Sequence, residues 1–359
     1  MRKKVLILTN NSGGLYCFRK ELISEMGKSC EIVCSTPFDD KIPELEALGC
    51  RLVPTELDRR GINPLKDLKL LRFYRRLIRA EKPDTVITYT IKPNLYGGAV
   101  CRLTKTPYVT NVTGLGSAFE SKGALHALVV RMYRFALKKV KVVFFENSEN
   151  RRIFLNERIV DEDRTVLLNG AGVNLDWFSV QPYPQNEVFR FLFIGRVMKE
   201  KGIEELLAAM EKLNGEGLRC FLDVLGGFDE DYKDVFRRCE EKGWLKYHGY
   251  QSDVRPFIKD CDAFVLPSYH EGMANTNLEC ASSGRPVITS NIPGCKEAVL
   301  NGKSGYLAEA RNAESLYLAM KKMLQTENRA EMGLCGRRHM ENEFDKKTIV
   351  ERTISEIFR

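Results

Sequence analysis

Two cations stand where phosphate oxygens could be gripped. In the segment FLFIGRVMKEKGIEELLAAM an apolar run closes at Ile194 and Gly195 permits a tight turn. Arg196 and Lys201 then flank a short loop ahead of a helical pattern. Cations at a strand-to-helix junction suit a diphosphate, and the helix start adds backbone N–H donors. The plainer alternative is an exposed strand-end arginine and a solvated lysine, because helix starts commonly carry charge.

Two carboxylates follow in LPSYHEGMANTNLECASSGRPVI. A strand ends near Pro267, a small-residue loop carries Glu271, and a helix is expected from about Asn275 to just before Gly284, with Glu279 early in it. Ligands of open α/β sheets bind at the carboxyl edge, where such carboxylates can accept hydrogen bonds from sugar and ribose hydroxyls. A glutamate at a helix start can equally be a capping charge. The pair does not read as a glycosidase acid and base. Those carboxyls sit about 5–10 Å apart, whereas eight helical residues alone span roughly 12 Å.

Weaker signals lie in the first half. Thr9-Asn10-Asn11-Ser12-Gly13-Gly14 is a glycine-bearing turn after an apolar run, and Thr113-Gly114-Leu115-Gly116-Ser117 is a second small-residue loop. Paired glycines let backbone approach a phosphate, but no nicotinamide-type fingerprint is completed. Asp161-Glu162-Asp163 lies in a polar loop, and Asp260-Cys261-Asp262 precedes a strand, on the wrong side for the ligand edge. Both read as structural, so no metal is expected. His126, His248, His270 and His339 are scattered, and no CxxC pair is present. Cys30, Cys34, Cys101, Cys220, Cys261 and Cys280 lie in or beside apolar runs and read as buried free thiols of a reducing cytoplasm.

The elements that must position these residues alternate regularly. Apolar runs at 5–8, 31–34, 85–88, 108–110 and 142–145 read as strands buried on both faces, with helical stretches near 15–28, 41–48, 65–81, 95–104 and 123–139 between them. Gln181–Asn186, with two prolines among polar residues, reads as a linker. A second series follows, with strands at 189–194, 221–225, 263–266 and 286–289. This order implies two doubly wound parallel-sheet halves. The expected domains are 1–178 and 188–340, with a long, charged helical stretch over about 330–358. Its last part, 341–359, forms a terminal helix.

The chain has 359 residues and a net charge of +8, which favours an anionic partner. LKDLKLLRFYRRLIRAEK (Lys66, Lys69, Arg72, Arg75, Arg76, Arg79) and LHALVVRMYRFALKKVK (Arg131, Arg134, Lys138, Lys139, Lys141) are amphipathic and basic at helical spacing. Each is either an ordinary surface helix or a contact for an anionic membrane surface. No aromatic platform or recognition motif points to nucleic acid. The opening run is too short for a signal peptide and no stretch is long enough to span a bilayer. The expectation is a cytoplasmic protein, at most peripheral on the inner face of the membrane.

As an ordered set, IGRVMKEKG, HGYQSDV, CDAFVLPS and EGMANTNLECASSGRPVI, with NGAGVNLDWF at 169–178, resemble glycosyltransferase family 4 over essentially the whole chain. Those are retaining enzymes of the GT-B fold, two Rossmann-like domains facing across a cleft, with the last helix crossing back to the first domain. The resemblance implies that Arg196 and Lys201 clamp a diphosphate, and that Glu271 faces the donor sugar. It places Glu279 on the ribose, and backbone near Tyr250 against the base. Gly14, with Gly13, faces the donor phosphates. Gly195, Gly272, Met273, Ala274 and Asn275 complete the donor site, and the first domain takes the acceptor. Many members carry a histidine in the loop that here reads TGLGSAF, so no catalytic histidine is carried over. Thr113, Gly114, Ser117 and Phe119 are the residues left to line that pocket.

TGLGSAF, TIKPNLYG and IPGCKEAV are similar to a narrower group, the polyprenyl-diphosphate-linked N-acetylgalactosaminyltransferases of bacterial glycan assembly. This likeness implies a UDP-N-acetylhexosamine donor, a polyprenyl-diphosphate-linked saccharide acceptor and no cofactor, UDP-sugar being a co-substrate. Two alternatives stay open. A UDP-N-acetylglucosamine 2-epimerase would need acid/base carboxylates and histidines in its cleft. A non-catalytic sugar-nucleotide-binding subunit would bind donor without turnover.

Overall fold

Each half of the chain builds its own parallel sheet. The computed structural model describes residues 2–57, 63–115, 119 and 123–359. The first sheet holds β1 (Lys3–Leu8), β2 (Cys30–Thr36), β3 (Arg51–Pro54), β4 (Thr85–Tyr89), β5 (Tyr108–Val112), β6 (Val143–Phe145) and β7 (Thr165–Leu167). Their order is β3-β2-β1-β4-β5-β6-β7. The helices between them are α1 (Ser12–Gly27), α2 (Ile42–Ala47), α3 (Pro64–Glu81), α4 (Gly98–Thr104), α5 (Ala124–Leu137) and α6 (Ser148–Asn156). The apolar run of β1 explains why strict alternation is absent. Val5 and Ile7 enter a core shared with α1, whereas Leu6 and Leu8 enter one built with α3, α4, α5 and α6. A strand covered on both faces needs apolar residues at every position.

The second sheet runs β10-β9-β8-β11-β12-β13. Its strands are β8 (Phe189–Ile194), β9 (Cys220–Leu225), β10 (Leu245–Gly249), β11 (Ala263–Leu266), β12 (Val287–Ser290) and β13 (Gly305–Ala308). The helices are α7 (Ile203–Gly215), α8 (Lys233–Glu241), α9 (Arg255–Asp260), α10 (Asn275–Ser282), α11 (Ala313–Gln325) and α12 (Arg329–Glu343). The chain ends in α13 (Lys346–Phe358). The compact units are Met1–Ala171 with Lys347–Arg359, and Gly172–Lys346. The last helix therefore belongs to the first unit, where Val350 and Ile357 join the core of Val5 and Ile7.

The final helical stretch is not continuous. It breaks at Phe344 and Asp345, because this backbone pairs sideways. Val173 N–H donates to Phe344 O at 2.8 Å and Lys346 N–H to Val173 O at 3.1 Å. Four strands, β3, β7, β10 and β13, were not expected from apolar runs, and each is a sheet edge. None of the eleven cysteines forms a disulfide; nine are buried, Cys335 is half-buried and Cys17 is exposed. Among the described residues no helix is long and apolar enough to cross a membrane.

Candidate functional site

The second unit's carboxyl edge gathers most of the expected donor residues, and glycines set the approach. At Gly202, φ is +70°, and a Cβ there would lie 2.1 Å from Pro267 O. Only glycine lets the short turn Lys199–Lys201 sit against the end of β11. That approach brings Lys201 onto Glu271. The ammonium and carboxylate form a salt bridge, with side chains 19% and 13% exposed. Ser268 Oγ donates to the same carboxylate oxygen at 2.8 Å. Gly294 (φ +84°) does the equivalent from the far side. A Cβ on it would meet Glu271 O at 2.5 Å and Gly272 O at 2.7 Å, and its own carbonyl accepts from Ala274 N–H at 2.7 Å. The loop 271–274 is thus clamped between two close backbone approaches.

Met273 and Ala274 are buried in the second unit's core, so their contribution at the edge is backbone. Asn275 opens α10, which has no side-chain N-cap and no acidic residue in its first turn. Its Nδ2 donates to Met273 O at 3.3 Å, while its buried Oδ1 has no protein partner. The first turn of α10 therefore presents amides and a positive dipole end to the same edge. Glu279 lies one turn further along α10, half-buried.

Arg196 occupies the neighbouring loop. Gly195 N–H donates to Leu225 O at 2.9 Å, and Val197 N–H to Gly227 O at 2.9 Å. Gly226 approaches so closely that a Cβ would lie 1.9 Å from Gly195 O. The exposed Arg196 guanidinium then pairs with Asp229 Oδ2 at 2.7 Å. Each expected cation thus has its own carboxylate, and Asp229, like Ser268 and Gly294, was not among the residues read from sequence. No short motif marks Asp229; only the glycine-tied pairing of the two loops brings it to Arg196. Tyr250 follows β10 and is 74% exposed. The β10 backbone bulges just before it, where His248 Nε2 meets buried Asp223 Oδ1 at 2.7 Å.

In the first unit, Gly13 and Gly14 open α1. Gly14 N–H donates to the cap residue Asn11 Oδ1 at 3.0 Å, and Ser12 N–H to Asp39 Oδ1 at 3.1 Å. Thr113 and Gly114 follow β5, and among the described residues no atom lies within 4 Å of where a Gly114 Cβ would point. Ser117 lies outside the described residues. Phe119 packs inward: its ring stacks on Phe154 at 5.8 Å and contacts Tyr133. Asp262, from the second acidic triplet, accepts from Arg190 N–H at 2.8 Å and Asn186 Nδ2 at 2.9 Å, fastening the start of β8.

Comparison with known proteins gives the same assignment at both ends. Residues 178–338 match the Glycosyl transferases group 1 family and residues 4–147 the Glycosyl transferase 4-like family. The chain is a family 4 glycosyltransferase. It is similar to the N,N'-diacetylbacillosaminyl-diphospho-undecaprenol alpha-1,3-N-acetylgalactosaminyltransferase of Campylobacter jejuni, 25% identical over 90% of both chains. It is also similar to the capsular polysaccharide biosynthesis glycosyltransferase CapM of Staphylococcus aureus, 26% identical over 82% of this chain and 81% of that one. In fold, the transferase matches a Rickettsia africae glycosyltransferase (TM-score 0.81, 19% identity, 100% and 99% of the two chains covered). It matches Anabaena HepE in complex with UDP and glucose comparably (TM-score 0.80, 16% identity, 99% of both). The transferase thus has the GT-B fold and moves a sugar from a nucleotide-sugar.

Proposed function

We propose that this transferase moves an N-acetylhexosamine from its UDP donor to a polyprenyl-diphosphate-linked saccharide, with retention of configuration. The carrying observation is the Lys201–Glu271–Ser268 network set beside the uncapped start of α10. Charge that develops on a departing diphosphate is stabilised by preorganised cations and amides. Lys201, Arg196 and the first-turn amides of α10 supply them, doing the work a metal does elsewhere. Glu271 is held in place by two donors and accepts from a sugar hydroxyl. Glu279 takes the ribose, and backbone near Tyr250 meets the base. The anomeric carbon–oxygen bond to UDP breaks, the acceptor hydroxyl oxygen bonds the same face, and its proton passes to the departing diphosphate.

The acceptor class is supported by the names of the similar Campylobacter protein and of an Escherichia coli alpha-1,3-galactosyltransferase, 28% identical over 84% of this chain, that acts on alpha-D-GlcNAc-diphosphoundecaprenol. It also fits the surface of the first unit. Leu125, Leu128 and Phe135 are exposed along α5, and Leu65 and Leu68 along α3. Exposed Arg72, Arg75, Arg131 and Arg134 lie among them. An apolar stripe flanked by cations lies well on an anionic bilayer, which supports a peripheral position on the membrane's cytoplasmic face.

The test is UDP release in EDTA, screening UDP-sugars against polyprenyl-diphosphate-linked sugars. Release that needs one donor and one lipid acceptor is expected. Release that needs divalent metal, or that proceeds equally with lipid-free saccharides, would overturn the metal-independent or the lipid-linked half of the reading respectively.

A further inference from the structure

At its amino edge, far along each strand from the ligand edge, the first unit spends three helix ends on cations. Roughly a third to a half of helices close on a left-handed residue, usually glycine. Here α3 closes on Lys82 (φ +46°), α4 on Lys105 (φ +59°) and α6 on Arg158 (φ +48°). All three helices pack on the same face of the sheet, and each leads into the start of the next strand. A long cationic side chain in that conformation is disfavoured relative to glycine. Its repetition along one edge points to a use for the charge.

Between the last turn of α5 and the connection from α6 to β7 lies a cavity of about 210 Å³. Four cations line it, Arg134, Lys138, Arg158 and Arg164, against one carboxylate, Asp161. Partial negative charge on helix-end carbonyls could account for two of them. Arg134 Nε and Nη2 donate to Glu157 O, at the end of α6, at 2.9 and 2.6 Å. Arg164 Nη1 donates to Lys138 O, at the end of α5, at 3.0 Å. Those bonds fix both guanidiniums; Arg134 also pairs with the Glu157 carboxylate at 3.8 Å, which leaves Lys138, Arg158 and Arg164 against Asp161. Among the described residues, Lys138 and Arg158 meet no carboxylate at all. The cavity thus holds more positive charge than its helix ends require.

We infer that this cavity binds a phosphate group, with the headgroup of an anionic membrane lipid as its source. Arginine's fixed fork of donors matches phosphate oxygens, and the cavity continues the basic, apolar-striped surface of α5. The lipid source rests on the membrane-face reading above; the phosphate site itself does not.

Arg158→Gly separates charge from fold, because glycine suits the left-handed position better than arginine. Inorganic phosphate binding by calorimetry and binding to phosphatidylglycerol/phosphatidylcholine vesicles are measured for the whole protein. Arg158→Gly and Lys138→Gln are compared with Lys139→Gln, which removes one charge from the same helix end outside the cavity. The expected result is at least about tenfold weaker binding of both probes for the two cavity variants, against about twofold for Lys139→Gln, with Arg158→Gly melting no lower than the parent. Loss of phosphate binding with unchanged vesicle binding upholds the site and assigns it to a soluble phosphate ester. Phosphate binding that Arg158→Gly abolishes, in a parent that binds no vesicles, upholds the site and sinks the membrane reading. Equal losses in all three variants, or no phosphate binding by the parent, overturn the proposal.

Discussion

Lys201 depends on a carboxylate for its charge balance and on a glycine for its place. The Glu271 pairing leaves the ammonium compensated, so a diphosphate competes for it with a carboxylate that is itself held by Ser268. Removing the cation takes away transition-state stabilisation without disturbing the core. Lys201→Ala and Arg196→Ala are each expected to cut turnover about 10²–10³-fold while the melting temperature stays near the parent's; near-normal turnover in both would sink the clamp. Gly202 is a separate lever. Gly202→Ala drives a methyl into Pro267 O and forces a left-handed φ on alanine, at a cost of roughly 2–3 kcal/mol. Gly215→Ala, in open space at the end of α7, is expected to be neutral or slightly stabilising. Thermal melts of the two variants check this, and equal melts would show that the 199–202 turn can move away from β11.

At the scale of elements, the sequence was most legible where burial was two-sided. All nine strands marked by apolar runs are present, and the four that were not, β3, β7, β10 and β13, are the four edges. The physical reason is local. Arg51–Pro54 and Thr165–Leu167 have no fully buried residue, and β13 is four residues opened by Gly305. An edge strand has neighbours on one side only and needs no continuous apolar stretch. The site showed the same division. Glycine-bearing loops and their charges stood out as motifs, but Asp229, brought to Arg196 by backbone pairing of two loops, left no local signal. Gln181–Asn186 illustrates a third kind of miss. It is irregular, as two prolines require, yet it is tied to its unit by Arg285, a fully buried side chain. The guanidinium donates to Gln181 O at 3.1 Å, Pro182 O at 2.8 Å, Lys259 O at 2.8 Å and Ile258 O at 2.9 Å. Arg285→Ala strands these carbonyls and is expected to destabilise the second unit by about 3–5 kcal/mol. Chemical denaturation measures it, and a loss below about 1 kcal/mol would mean that water replaces the guanidinium.

Across the whole molecule, the chain leaves the first unit at Ala171 and returns to it at Lys347. The first unit's core is therefore completed by Lys347–Arg359, separated in sequence from the rest of that unit by the whole of the second. Ile357 is fully buried among side chains of β1 and α1. Lys141 Nζ donates to Ile357 O at 2.9 Å, and Lys3 lies 5.2 Å over the Phe358 ring. Beginning, middle and end of the first unit meet around α13. Deleting the Ile357 side chain beyond Cβ leaves a cavity that the surrounding strands cannot collapse into, at a typical cost of 2–5 kcal/mol, roughly. Because the second unit has its own sheet and core, that loss is confined to one half. Ile357→Ala is expected to lower a first thermal transition by several degrees and leave a second in place, with UDP affinity retained by the second unit below its own melt. The two transitions can be read by calorimetry, with amide exchange assigning each to its sheet. A single transition lowered as a whole would instead mean that the two units unfold as one, with α13 coupling the stability of one sheet to the other.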